Sequence, residues 1–120
     1  MNTSPFVKVI TYKNKQIMFW SYPDGIMQKD LVEALRQQIE FGRQNKHIKY
    51  MITDFSNVSV GHEFMLVAKS NLDVFDRLKS ALLGITGLKK ILLMGFNRVA
   101  KNQVLPFDTK EEALEYLVQD

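Results

Sequence analysis

The hydrophobic period changes repeatedly along this chain, and those changes constrain its fold more than any single motif does. Phe6 to Tyr12 and Gln16 to Tyr22 are rich in β-branched and aromatic residues, the composition of extended strands. Lys13-Asn14-Lys15 between them has the length and polarity of a hairpin loop. Pro23-Asp24-Gly25 then breaks the chain with turn chemistry. From Met27 to Gln44 the period becomes helical, with Leu31, Leu35 and Ile39 recurring every four residues and Val32 beside them. Tyr50 to Phe55 is a short apolar run carrying Asp54 near its end, the profile of a strand covered on both faces.

The same alternation continues. Phe64, Ala68, Leu72, Phe75 and Leu78 predict a second helix from His62 to about Lys79. Ala81 to Ile85 reads as a strand. Leu88, Ile91, Leu92, Gly95, Phe96 and Val99 predict a third helix with those residues toward the core. Val104 to Phe107, interrupted by Pro106, suits an edge strand. Asp108 or Thr109 caps a closing helix through Val118, with Glu111 and Glu112 favourably placed in its first turn. The order ββαβαβαβα predicts an α/β fold: a mostly parallel sheet with helical layers and right-handed crossovers.

At 120 residues and 46% hydrophobic content, one domain spanning residues 1–120 is expected, with a core that needs no covalent staple. The absence of cysteine excludes disulfides, thiolate metal sites and cysteine nucleophiles. No apolar run approaches the ~20 residues that cross a bilayer, and Met1 to Pro5 is polar, without the layout of a signal peptide. The expected location is the cytoplasm. The net charge of +3 is unevenly spread. Residues 1–23 carry lysines and no acid, as do residues 77–107 with Arg77, Lys79, Lys89, Lys90, Arg98 and Lys101, before Glu111, Glu112 and Glu115 reverse the sign. Such a sector suits phosphates or an acidic partner, or is simply a solvated face.

Gly84-Ile85-Thr86-Gly87-Leu88-Lys89-Lys90-Ile91-Leu92-Leu93, then Pro106-Phe107-Asp108-Thr109 and Glu112-Ala113-Leu114-Glu115-Tyr116-Leu117, resemble the small STAS/SEC14-type proteins with a SpoIIAA-like fold. Tyr12-Lys13-Asn14-Lys15-Gln16-Ile17 fits their opening hairpin. The resemblance implies a SpoIIAA-like layered domain. Relatives of that fold include anti-sigma factor antagonists, which bind a kinase and are switched by phosphorylation of a serine in an Asp-Ser-Ser-Gly element at the start of helix two. Other relatives hold lipophilic ligands or associate with membranes. Here Asp54-Phe55-Ser56-Asn57-Val58 resembles the strand end before that element, and a gap-free continuation reaches His62-Glu63-Phe64-Met65. An acid and an aromatic stand where the switch serine would be.

Asp54 lies at the end of a central strand, where α/β sheets bind ligands; it either faces a ligand or accepts backbone donors in the following turn. Ser56 and Ser59 are turn residues or phosphosites. His62 beside Glu63, with His47 in another connection, makes no metal or relay constellation. The Gly84 to Lys90 turn has neither P-loop nor dinucleotide spacing. On the third helix, Leu93 and Met94 fall outside the expected core arc and flank Lys90, Asn97 and Lys101, a surface suited to an anionic lipid region or an acidic partner helix unless another segment or a second copy covers it. Trp20, Tyr22 and Phe19 lack any RNA-binding motif around them. The sequence therefore predicts a non-catalytic module without metal, cofactor or nucleic acid. It acts through protein contact, or else binds a lipophilic ligand or membrane surface. Asp54, Ser56, Lys89, Lys90, Leu93, Met94 and Lys101 are its candidate contact residues.

Overall fold

Two left-handed residues start the fold. Lys13 and Asn14 have φ of 49° and 68°, the backbone of a two-residue hairpin turn whose twist matches that of the strands it joins. It connects β1 (Val7–Tyr12) to β2 (Lys15–Ser21), with Tyr12 opposite Lys15 and Val7 opposite Trp20. The turn is thus one residue tighter than the loop the sequence suggests. Three parallel strands follow: β3 (Tyr50–Asp54), β4 (Lys79–Leu83) and β5 (Leu105–Phe107). The sheet order is β1-β2-β3-β4-β5, antiparallel only in the hairpin. The computed structural model describes residues 4–119, so the reading of Met1 to Pro5 falls mostly outside the described residues.

The pleat sorts the core into two layers. Met18, Trp20, Met51 and Leu82 point to one face, under α1 (Gln28–Gln44), α2 (His62–Lys69), α3 (Leu72–Arg77) and α4 (Leu88–Val99). Ile17, Ile52, Ala81 and Leu83 point to the other, where α5 (Lys110–Val118) packs through Ala113, Leu114 and Leu117. Among the described residues, no helix is long and apolar enough to cross a membrane.

The second helix expected over His62 to Lys79 is two helices. The Ser70 hydroxyl donates to Leu66 O at 2.7 Å and the Asn71 side chain to Val67 O at 2.8 Å. These local bonds compete with the backbone ladder and end α2 there. The following strand begins two residues earlier than expected, at Lys79, and stops at Leu83 because Gly84 turns left-handed, with φ 75°. Thr109, not Asp108, caps α5: its hydroxyl oxygen accepts from Glu112 N at 3.1 Å. On α5, Glu115 accepts from the Tyr12 hydroxyl and from Lys13 Nζ at 2.8 Å, tying the helix to the hairpin.

Lys13 and Tyr12 together hold the Glu115 carboxyl below its usual range. The contribution of this exposed tie is therefore present at neutral pH and is lost as pH falls through the glutamate range. Glu115→Gln is expected to flatten a small, salt-sensitive part of the acid-side decline in melting temperature. A second expectation concerns Gly84. A Cβ there would collide with the backbone of Ser56 and Phe55, whereas one at Gly25, also left-handed, would meet nothing. By thermal unfolding, Gly84→Ala should cost about 3 kcal/mol or more, and Gly25→Ala only about 1 kcal/mol.

Candidate functional site

The ends of the parallel strands and the start of α4 form one connected region. Asp54, the last residue of β3, accepts through Oδ1 from Ser56 N at 2.9 Å and from Ser56 Oγ at 2.5 Å. This carboxylate is therefore engaged in its own turn, the local arrangement that Asp favours. Phe55 N bonds Leu83 O at 2.9 Å, carrying the β3–β4 pairing one step past the strand. Lys89, in the first turn of α4, sends Nζ back to Phe55 O at 2.8 Å and Val58 O at 3.2 Å. Of the sequence candidates, Asp54, Ser56 and Lys89 are thus brought together, but as a clamp on the β3–α2 loop. Lys90 and Lys101 are exposed. The Lys101 backbone N–H is bonded to Asp76 Oδ1 at 2.7 Å.

α4 is rotated relative to the orientation its sequence suggests, which corrects the expected core arc. Its inward side is Lys89, Leu92, Leu93, Phe96 and the capping Ala100; Phe96 and Ala100 are buried and Leu93 packs against the core. Leu88 and Ile91, expected inside, are 66% and 65% exposed, and Val99 is exposed with them. Gly95 lies on this outward side, only partly covered. Met94 is 60% exposed, whereas Leu93 is not a free surface residue. The helix therefore carries two apolar stripes. The outward one, at residues 88, 91, 95 and 99, has the i, i+3, i+7, i+11 spacing of a helix-packing seam. Arg98 borders it on α4. From α2, Lys69 places Nζ 3.9 Å from where a Gly95 Cβ would lie.

Beneath α4 is an apolar pocket of about 80 Å³. Phe64, Met65 and Ala68 of α2, Leu92, Leu93 and Phe96 of α4, and Leu82 of β4 line it, with Gln38, Thr53 and Ser80 as polar residues on its wall. Tyr22 donates to Gln38 Oε1 at 2.6 Å, and Gln38 Nε2 donates to Thr53 Oγ1 at 2.9 Å. Burial pushes the Tyr22 phenol upward, so this buried chain stays neutral. Ser80 Oγ is 2% exposed as a residue and has no hydrogen-bond partner. Sequence reasoning missed these groups. Gln38 continues the Leu31–Leu35 stripe of α1, and Ser80 sits directly before the Ala81–Leu83 run, so a polar residue at a core position was the available signal.

His62 and Glu63 are both exposed at the start of α2, and His47 lies before β3. Among the described residues, no cluster of His, Asp and Glu has the geometry to hold a metal ion. Trp20 and Tyr22 are buried in the core, so they offer no stacking platform for nucleic-acid bases.

No family model matches this sequence, and no curated protein sequence does. Solved structures do match. An uncharacterized DUF3478-family protein with a SpoIIAA-like fold from Shewanella loihica superposes with a TM-score of 0.68 at 15% identity, over 92% of this chain and 91% of that one. An anti-sigma-factor antagonist (STAS) domain protein from Planctomyces limnophilus gives 0.61 at 16% identity, over 94% and 98%. A serine-to-glutamate variant of RsbS from Moorella thermoacetica gives 0.55 at 17% identity, over 92% and 93%. What these proteins share with this chain over nearly its whole length is an architecture: the chain has a SpoIIAA-like, STAS-like fold.

Proposed function

We propose that this chain is a non-catalytic, cytoplasmic docking module of STAS type, and that α4 receives an acidic, amphipathic helix of a protein partner. The outward apolar stripe of α4 carries the reading. Leu88, Ile91 and Val99 are exposed although the helix already has a complete inward face. A helix apolar on two sides is one built to be covered twice. Being half to two-thirds exposed, each of these side chains contributes roughly 1–2 kcal/mol when a partner buries the rest.

Charge supports an acidic partner. Besides Lys89, which is committed to loop carbonyls, α4 carries Lys90 and Arg98 and no acid, and residues 77–107 carry none either. A second copy of the chain would bring Lys69 and Arg98 against their equivalents, which disfavours self-association. Gly95 supports a protein backbone over a bilayer. No side chain of the fold packs tightly where its Cβ would be, so the fold gains nothing from glycine there, yet glycine in a helix costs about 0.5–1 kcal/mol relative to alanine. Close approach of a partner's backbone gives it a use.

The non-catalytic part of the reading is supported by the engagement of Asp54 with Ser56 and of Lys89 with loop carbonyls. With Glu63 and Phe64 at the position of the resembled switch serine, docking is constitutive with respect to phosphorylation at residues 61–65.

A synthetic amphipathic helix with leucines on one face and glutamates along its margins tests this by fluorescence anisotropy. The chain should bind it in a salt-sensitive manner, and bind a lysine-flanked version far more weakly. Leu88→Ser/Ile91→Ser should weaken binding at least tenfold while the melting temperature stays nearly unchanged. Unfolding of that double variant by many degrees, or preferential binding to phosphatidylserine vesicles over the peptide, overturns the reading. Gly95→Ala should raise the melting temperature by a few degrees, as about 0.5–1 kcal/mol of helix propensity implies, and weaken the peptide.

A further inference from the structure

We propose that the pocket beneath α4 is a binding site for a small neutral molecule with a compact apolar body and one hydrogen-bonding oxygen, held by the Ser80 hydroxyl. Ser80 is 2% exposed, lines the pocket, and its Oγ has no partner. A hydroxyl buried without a partner destabilises the fold that contains it. Its strand neighbours Ala81 and Leu82 are apolar, and alanine at position 80 would avoid the cost. The fold therefore retains a polar group it does not use internally, aimed into an apolar space.

The rest of the wall defines the ligand. Thr53, on neighbouring β3 and two residues beyond Met51, the register partner of Ser80, is 2% exposed; its Oγ1 already accepts from Gln38, which leaves its own proton available to an acceptor in the pocket. Gln38 in turn is held from behind by Tyr22. The polar part of the site is thus two neutral hydroxyls, that of Thr53 fixed by a preformed network and that of Ser80 unpartnered. The lysine at its rim, Lys89, has its ammonium committed to Phe55 O and Val58 O, so nothing in the pocket compensates a buried carboxylate or phosphate. Phe64, Leu93 and Phe96 supply an apolar enclosure for the body of the ligand. An apolar cavity of about 150 Å³ accommodates benzene. The roughly 80 Å³ here takes about three heavy atoms of the body, with the remainder in the open mouth. A short ketone or alcohol has these properties. An entire acyl chain does not.

This site is independent of the outward stripe of α4, so the peptide experiment neither supports nor removes it. NMR titration of the full chain with cyclopentanone, and with cyclopentane as its oxygen-free counterpart, tests it. Saturable shifts confined to Ser80, Thr53, Leu93, Phe96 and their neighbours are expected, with the ketone bound more tightly. Ser80→Ala should raise the melting temperature of the free protein and weaken cyclopentanone about tenfold, leaving cyclopentane unchanged. Ala68→Leu and Leu93→Phe, made separately, should each reduce both ligands by filling the space. The absence of saturable shifts in the pocket at millimolar cyclopentanone overturns the proposal. So does equal ketone affinity in Ser80→Ala, or a lower melting temperature for that variant, which would mean that the hydroxyl serves the fold itself.

Discussion

Where β4 ends, its backbone passes against that of the β3–α2 loop with no room for a side chain between them. Gly84 is in the left-handed region, and its missing Cβ is what lets Ser56 and Phe55 lie so close. Phe55 N bonds Leu83 O just before the contact, and Lys89 bonds Phe55 O and Val58 O just after it. Three constraints thus act within a few residues of one another: a ladder bond, a steric near-contact and a charged clamp. Together they set the direction in which the chain leaves the sheet to form α4. The orientation of that helix, the side it shows to solvent and the pocket it roofs all follow from this junction.

The junction also explains why the polar residues at the strand ends are not free for chemistry. The Asp54 carboxylate is used to shape the turn, and the Lys89 ammonium to hold the Phe55 and Val58 carbonyls, adding to the bond that Phe55 O already accepts from Val58 N at 3.3 Å. What remains available lies on either side of α4. Outside is an apolar seam with basic margins; inside is an apolar pocket with hydroxyls on its wall. Both depend on α4 being held by its first turn through Lys89 and further along by Leu93, Phe96 and Ala100.

Much of this was legible in the residues. The hairpin, the parallel strands, the long α1, the proline-bearing edge strand and the capped α5 were readable because each rests on a local rule: period, turn chemistry or capping. The break between α2 and α3 was not, because Ser70 and Asn71 are compatible with a continuing helix until their side chains turn back onto the carbonyls of Leu66 and Val67. The start of β4 was displaced for a similar reason. Lys79 and Ser80 look like a helix end and a loop, yet Lys79 N pairs with Lys49 O, while Lys79 Nζ reaches Tyr116 O on α5 and so carries its stem along the sheet.

The clearest division falls on α4. Its sequence determined that a helix forms there, that it is basic and that it has more apolar residues than one face needs. Two apolar arcs fit that sequence, and periodicity cannot choose between them, because both satisfy the helical repeat. Tertiary structure chose. With Gly84 and Lys89 fixing the first turn, Leu93 and Phe96 were directed inward and Leu88, Ile91 and Val99 outward. In the same way, the sequence determined that Ser80 is a serine beside an apolar run. Only the packing of α1, α2 and α4 over β3 and β4 decided that its hydroxyl would face an apolar pocket, since that environment is made by residues distant along the chain.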